Sequence, residues 1–150
     1  LARAADPSKF KPLNRETADH SLPSCVAMAL CDGVLSDAQF EGSRFLDDDV
    51  MRLTGLVEAV AEPSFEERFP TGRPGAVEIE FADGEIIDAV EEIPLGDFER
   101  PMDEAALHEK FLGQAIPAVG EAAAGEIIAF VDALEDQPSV APLLQLCRQA

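Results

Sequence analysis

The sequence predicts an α+β fold, in which a small antiparallel sheet is built on a central hairpin at residues 76–92. Residues 76–82 alternate apolar and polar side chains, which is the period of a half-buried strand, and residues 85–92 return as the partner strand. Asp83-Gly84 between them is a preferred residue pair for a type I′ turn. Apolar residues recur at helical spacing on both sides of the hairpin. Because one face of the hairpin is apolar, we expect helices to cover it.

The most distinctive predicted helix runs through residues 21–33. Ser21 is a good N-cap residue, Pro23 suits a first helical turn, and Asp32-Gly33 is a stop signal. Every residue from Cys25 to Cys31 is apolar. A helix with no polar face is normally buried, so we expect this one to be covered on all sides.

The segments around this helix have weaker signals. We expect residues 1–18 to be extended, because Asp6-Pro7 and Lys11-Pro12 disfavour helical geometry before each proline. Ser36 caps one short helical turn, and Asp47-Asp48-Asp49 opens another helix with Leu46, Val50 and Leu53 facing inward. Residues 56–62 alternate weakly and predict a strand, and residues 64–75 predict a loop.

The second half ends in three predicted helices. Asp103 caps the first, which runs from Glu104 to about Ile116 and is ended by Pro117. The others cover residues 121–134 and 142–149. The absence of repeats or low-complexity linkers and the length of 150 residues predict a single domain over residues 1–150.

The charge balance restricts the possible partners. The chain has 30 acidic and 11 basic residues and a formal net charge of −19, which argues against nucleic acid and anionic membranes. Residues 1–20 carry four basic and three acidic side chains, so the excess negative charge lies in residues 21–150. A polycarboxylate would be tolerated only near the N-terminal segment or beside basic residues on another domain. The alternative explanation of the charge is a halophilic or very soluble surface.

Metal binding and disulfide formation are not predicted. The three cysteines Cys25, Cys31 and Cys147 have no CxxC spacing, which favours free thiols and a reducing, cytoplasmic compartment. The three consecutive aspartates at residues 47–49 could be read as metal ligands. With no histidine nearby, we interpret them as the acidic first turn of a helix.

The chain has two histidines, and they differ in their surroundings. His108 lies in the middle of a predicted helix and is interpreted as a surface or packing residue. His20 adjoins Asp19 and Ser21, and Ser24 follows in the first turn of the next helix, whose positive end favours a carboxylate. Residue chemistry leaves two alternatives open for His20, a binding role or an imidazole that only satisfies backbone groups at a loop-to-helix junction.

Residues 15–33, RETADHSLPSCVAMALCDG, resemble the signature RETADHSLPY…DG of the C-terminal part of MmgE/PrpD family proteins. The similarity continues through FPTGRPGAVEIEFADG at residues 69–84 and PLGDFERPMDEAALHEKF at residues 94–111. The family includes 2-methylcitrate dehydratase, cis-aconitate decarboxylase and iminodisuccinate epimerase. The resemblance is specific in its motifs but does not select one of these reactions.

The resemblance implies the C-terminal domain of a two-domain, usually homodimeric lyase or isomerase that acts on a small di- or tricarboxylate without a cofactor. The parent protein would be a carbon–oxygen lyase or a related decarboxylase or epimerase. Its own N-terminal helical domain would supply most catalytic groups, so this chain alone is expected to be inactive and to hold no catalytic residue. The segment with Asp19, His20, Ser21 and Ser24 would bind substrate.

One position departs from the family pattern. Ser24 stands where many members have Tyr after the proline, and the chain has no Tyr at all. A serine hydroxyl reaches less far, so a direct substrate contact would be lost or replaced by water. The alternative functional class is a non-catalytic binding or dimerisation module whose apolar helix is buried against a partner.

Overall fold

The computed structural model describes residues 6–148 and divides the chain into two compact units, Leu1–Glu66 and Glu67–Ala150. In the described part of the first unit the helices are α1 (Arg15–Asp19), α2 (Leu22–Asp32), α3 (Asp37–Glu41), α4 (Asp48–Thr54) and α5 (Pro63–Glu66), with short 3-10 helices at Pro7–Phe10 and Arg44–Leu46. The second unit contains β1 (Gly75–Glu80), β2 (Ile86–Glu91), α6 (Glu104–Val119), α7 (Glu121–Asp132), a 3-10 helix (Leu134–Asp136) and α8 (Ala141–Leu146). The predicted α+β class is confirmed.

Helix α2 begins and ends where the sequence predicts. The Ser21 hydroxyl accepts a hydrogen bond from the backbone N–H of Ser24 at 3.2 Å, and Gly33 ends the helix in the left-handed conformation with φ of 71°. The prediction of burial on all sides is wrong. Leu22 and Leu30 are 62% and 49% exposed, because the short neighbouring helices cover only the face that carries Pro23, Ser24, Ala27 and Met28.

The N-terminal segment contains more helix than predicted. Among its described residues, the Pro7–Phe10 and Arg15–Asp19 helices replace the expected extended chain, whereas residues 1–5 of that prediction lie outside the described residues. Asn14 and Thr17 exchange hydrogen bonds, since the Asn14 side chain accepts from Thr17 N at 2.9 Å and Thr17 Oγ1 accepts from Asn14 N at 3.1 Å. This capping box starts α1. It is hard to recognise in the sequence, because a threonine stands where the motif usually has Glu or Gln.

The hydrophobic core of the first unit joins α1, α2 and α4. Its buried members are Ala18, Ala27, Met28, Phe45 and Val50, with Leu53 packed at its edge. Helices α3 and α4 form as predicted, but Leu46 is 48% exposed and Phe45 takes the inward position instead. The 3-10 helix Arg44–Leu46 explains the difference, because it turns neighbouring side chains to different sides before α4 begins.

The predicted strand at residues 56–62 is wrong. These residues have no regular structure, and β1 and β2 pair only with each other in the described part of the chain. Pro63, directly after these residues, starts α5, a position where its missing N–H is harmless.

The hairpin forms with the predicted partner strands. It is antiparallel, and Ile79 lies opposite Ile87. Its turn is not type I′, because Gly84 has φ of 87° while Asp83 keeps a negative φ. Phe81 N donates to Glu85 O at 2.8 Å, and Gly84 N donates to Phe81 O at 2.9 Å. The hairpin therefore has a three-residue loop, in which a type I turn is followed by a glycine in the left-handed conformation.

The predicted helical cover over the hairpin is not observed in the described residues. Val77 and Ile87 on its apolar face are 41% and 46% exposed. Helices α6 and α7 pack on each other, and Ala124 and Ile127 are their buried residues. The helices therefore use their apolar sides against one another, and the hairpin face stays open.

The C-terminal helices differ from the prediction mainly at Pro117. Helix α6 starts at the predicted cap, where Asp103 Oδ1 accepts from Ala106 N at 2.8 Å, but it passes Pro117 and ends at Val119, before Gly120 with its φ of 82°. Pro117 has no N–H to bond to Gly113 O, but the helix continues for two more residues beyond it. Helix α8 ends at Leu146, and Gln149, the predicted end, lies outside the described residues. No helix among residues 6–148 has the length and apolarity needed to cross a membrane.

Candidate functional site

Asp19 and His20 form an exposed pair at the junction of α1 and α2. His20 Nδ1 is within hydrogen-bonding distance of Asp19 Oδ1 and lies 3.0 Å from the backbone oxygen of Glu16. Since both neighbours are acceptors, Nδ1 carries the proton and donates. The Nε2 atom has no hydrogen-bond partner among the described residues, and 68% of the His20 side chain is exposed. This nitrogen is therefore open to a ligand.

The pair changes the acid–base behaviour of His20. The Asp19 carboxylate, followed by the Glu16 carbonyl, raises the pKa of His20 above its ordinary value. More of the imidazole is then charged near neutral pH, and a charged imidazole can donate a charge-assisted hydrogen bond to a carboxylate. The arrangement can bind an anion or hold a proton at Nε2.

Ser21 is buried, and its hydroxyl is hydrogen-bonded to backbone atoms. Its hydroxyl donates to the backbone oxygen of Lys9 and accepts from Ser24 N as the N-cap of α2. The hydroxyl fixes the junction that holds His20. A substrate contact by Ser21, which the sequence suggests, stays a prediction, and to donate to a carboxylate the hydroxyl would have to give up its bond to Lys9 O.

Ser24 does not share the exposed surface of the Asp19–His20 pair. It is fully buried, and its hydroxyl has no hydrogen-bond partner among the described residues. Ser24 lines a cavity of about 190 Å³, to which Asp19, His20 and Ser21 do not contribute. The four predicted residues are thus divided between an exposed pair, a buried cap and a cavity wall.

Thr54 is the residue in this region that the sequence does not reveal. It is the last residue of α4, it lines the same cavity as Ser24, and its hydroxyl is also buried without a partner among the described residues. No local motif marks this threonine. Only the packing of α4 on α2 brings the two hydroxyls to one cavity.

The aspartates at residues 47–49 surround an arginine. Arg44 contacts Asp47 at 2.8 Å, Asp49 at 2.6 Å and Asp32, at the end of α2, at 3.0 Å. The guanidinium group lowers the pKa of Asp49 strongly, and Asp49 Oδ1 also accepts from Val50 N at 2.9 Å. These contacts agree with the interpretation of the segment as a helix start, and they connect α2 to α4.

His108 is half-buried and links α6 to α7. Its Nε2 lies 3.3 Å from Asp132 Oδ1, a contact that agrees with a packing role. The donor atoms of Glu104, His108 and Asp132 lie within 4.8 Å of one another, so in the described part of the chain they could approach one metal ion. The two carboxylates are exposed, and the His108–Asp132 contact needs no metal to explain it.

These features define an α+β protein with an exposed aspartate–histidine pair held before a capped apolar helix. The family model described as the MmgE/PrpD C-terminal domain matches residues 2–136. The chain therefore belongs to the MmgE/PrpD family and carries its C-terminal domain.

Proposed function

We propose that this chain is the C-terminal part of a cofactor-independent lyase or isomerase that acts on small di- or tricarboxylates, as 2-methylcitrate dehydratase-like enzymes do. The observation that carries the proposal is the exposed Asp19–His20 pair, which lies in the segment that resembles the family signature. The parent enzyme would be a carbon–oxygen lyase or a related decarboxylase or epimerase, and the chain alone would be inactive.

In this proposal His20 binds rather than transforms the substrate. Its Nε2 donates to a substrate carboxylate, while Asp19 holds Nδ1 and stabilises the charged imidazole. The groups that move the proton next to the carboxylate come from the protein's own N-terminal helical domain, and the functional unit is a homodimer.

The charge distribution supports this position for an anion. The N-terminal segment up to His20 has more basic than acidic residues, whereas the rest of the chain holds the excess of acidic ones. A substrate with two or three carboxylates is repelled least near this segment.

The test is turnover of 2-methylcitrate, cis-aconitate and iminodisuccinate by the full-length parent protein. We expect activity on at least one of them, a fall of about a hundredfold in kcat/KM for His20→Gln, and no turnover by the 150-residue chain alone. His108→Gln is the matched control, because it removes the other histidine of the chain and should keep most of the activity.

Two results would contradict the proposal. If the folded full-length protein turned over none of the three compounds, the family fold would not be linked to these reactions in this protein. Equal activity of the His20→Gln and His108→Gln variants would remove His20 from the substrate site.

A second candidate is a binding or dimerisation module without chemistry. The exposed Leu22 and Leu30 on α2 favour it, since a partner that covered this side of the helix would bury both side chains. Sedimentation velocity over a range of concentrations tests this candidate. Self-association that is lost in Leu30→Gln would support it, and a monomer at every concentration would contradict it.

A further inference from the structure

We propose that Glu104, His108 and Asp132 bind one divalent transition-metal ion of the Zn²⁺ type and so connect α6 to α7. We name these three residues the α6–α7 metal site. The site goes beyond the proposed function, because it lies in the second unit, whereas Asp19 and His20 belong to the first. The ion supplies no group to the proposed reaction.

The first argument is that the three side chains come together from two packed helices. Glu104 and His108 are four residues apart on α6, so they share one face of that helix. Asp132 is the last residue of α7, which packs on α6. One donor atom from each residue lies within 4.8 Å of the other two. Two helices therefore present three ligand atoms to one point.

The second argument is the distance between His108 and Asp132. Nε2 of the histidine lies 3.3 Å from Oδ1 of the aspartate, just beyond the usual range of about 2.7 to 3.2 Å for an N–H···O hydrogen bond. Two ligand atoms that are each about 2.1 Å from a tetrahedral zinc ion are about 3.4 Å apart. The two side chains meet without an ion, and they already have the separation of two ligands on one ion.

The third argument is that both carboxylates are free of basic partners. Among the described residues, neither Glu104 nor Asp132 forms a salt bridge with a lysine or an arginine, whereas Arg44 binds Asp47 and Asp49 in the first unit. Two unpaired negative charges balance the charge of a divalent cation. The α6–α7 metal site therefore attracts a cation that the aspartates around Arg44 do not need.

The fourth argument selects the class of metal. Imidazole is a good ligand for zinc and similar transition metals, whereas Mg²⁺ and Ca²⁺ prefer sites made of oxygen atoms. The His108 side chain is 29% exposed and Glu104 is exposed, so an ion can enter and water can complete its coordination. For the histidine to coordinate through Nε2, its proton must be on Nδ1.

The test is a titration of the 150-residue chain with zinc chloride, followed by the imidazole ¹⁵N signals in NMR spectra. The chain has two histidines, so His108 can be observed separately from His20. We expect the His108 signals to change in a saturable way with one ion per chain. Magnesium chloride at the same concentration should leave them unchanged.

The variants examine the two carboxylates. Glu104→Gln and Asp132→Asn should each weaken zinc binding at His108 at least about tenfold, because the loss of an outer-shell partner alone costs about 10-fold to 100-fold. Glu109→Gln is the matched control. It removes an equal charge from the residue next to His108, but Glu109 is not part of the α6–α7 metal site, so the affinity should be kept.

A second measurement separates this test from that of the proposed function. Zinc should raise the melting temperature of the unaltered chain and of His20→Gln, because an ion that binds the folded state stabilises it. His108→Gln should lose this rise but keep turnover in the full-length protein, whereas His20→Gln should lose turnover and keep the rise.

Three results would overturn the proposal. The first is a set of His108 signals that zinc does not change. The second is an equal loss of affinity in Glu104→Gln and Glu109→Gln, which would mean that the ion is attracted only by the general negative charge. The third is magnesium binding as tight as zinc binding, which would exclude coordination by the imidazole.

Discussion

At the residue scale, the behaviour of His20 depends on a single neighbour. Asp19 holds Nδ1, and the loop-to-helix junction leaves Nε2 open. The two alternatives raised by the sequence are therefore compatible, because one ring nitrogen serves the backbone of Glu16 and the side chain of Asp19 while the other is available to a ligand.

The first prediction concerns the titration of His20. Its midpoint in an NMR pH titration should lie above the ordinary value of about 6.5, and Asp19→Asn should lower it. Since the folded-state pKa is raised, the stabilising contribution of the protonated pair is complete below the unfolded-state pKa and is lost as the pH rises through the folded-state pKa. Asp37→Asn, which removes a carboxylate away from His20, is the control, and an equal shift in both variants would contradict the assignment.

His20 and Thr54 show what residue chemistry can and cannot predict. His20 stands out because Asp, His and Ser adjoin one another in the sequence. Thr54 does not stand out, because its burial depends on packing against α2, which lies more than 20 residues earlier in the chain. A property that comes from distant packing has no local signal.

At the element scale, the end of α2 depends on the left-handed glycine at residue 33. Its φ is 71°, and no atom lies within 4 Å of the position that a Cβ would take, so strain in the backbone is the cost of a side chain there. Gly33→Ala should lower the free energy of unfolding by about 1 kcal/mol, measured by urea denaturation.

Gly55→Ala is the matched control for that variant. Gly55 follows α4 in the same unit with φ of −69°, and a Cβ there would be 3.5 Å from Arg52 O, an ordinary contact. We expect this substitution to be neutral or slightly stabilising. Equal losses at both glycines would mean that the conformation of residue 33 is not the cause.

The connection between α2 and α4 gives a prediction about neighbouring aspartates. Asp49→Asn should lower the melting temperature more than Asp48→Asn, because Asp49 binds Arg44 whereas Asp48, also in the first turn of α4, has no contact with it. The lowered pKa of Asp49 means that its contribution is present above the unfolded-state pKa and is lost as the pH falls through the folded-state pKa. The difference in melting temperature between the two variants should therefore disappear in acid. A difference that persists there would contradict an ionic origin.

Elements with strong local signals were predictable, and those that depend on partners were not. Helix α2 and the hairpin have cap and turn residues at their ends, and both form within a residue or two of the expected positions. Residues 56–62 have only a weak alternation, and a strand needs another strand to pair with. No strand among the described residues pairs with them, and they remain irregular.

At the scale of the whole molecule, the net charge of −19 should oppose folding. The repulsion acts over distances comparable to the Debye length, which is about 10 Å at 0.1 M salt, so added salt screens it. We expect the melting temperature to rise by a few degrees between about 0.05 M and 0.5 M sodium chloride, as measured by circular dichroism. A fall would mean that ion pairs such as those of Arg44 outweigh the general repulsion.

The sequence alone determined the α+β class, the start and end of α2, the hairpin and the family signature around His20, because each depends on residues that are close together in the chain. The tertiary structure decided which face of α2 is buried, that the hairpin face stays exposed, and that Ser24 and Thr54 line one cavity. These properties arise where segments far apart in the sequence meet, and burial depends on the shapes of both partners.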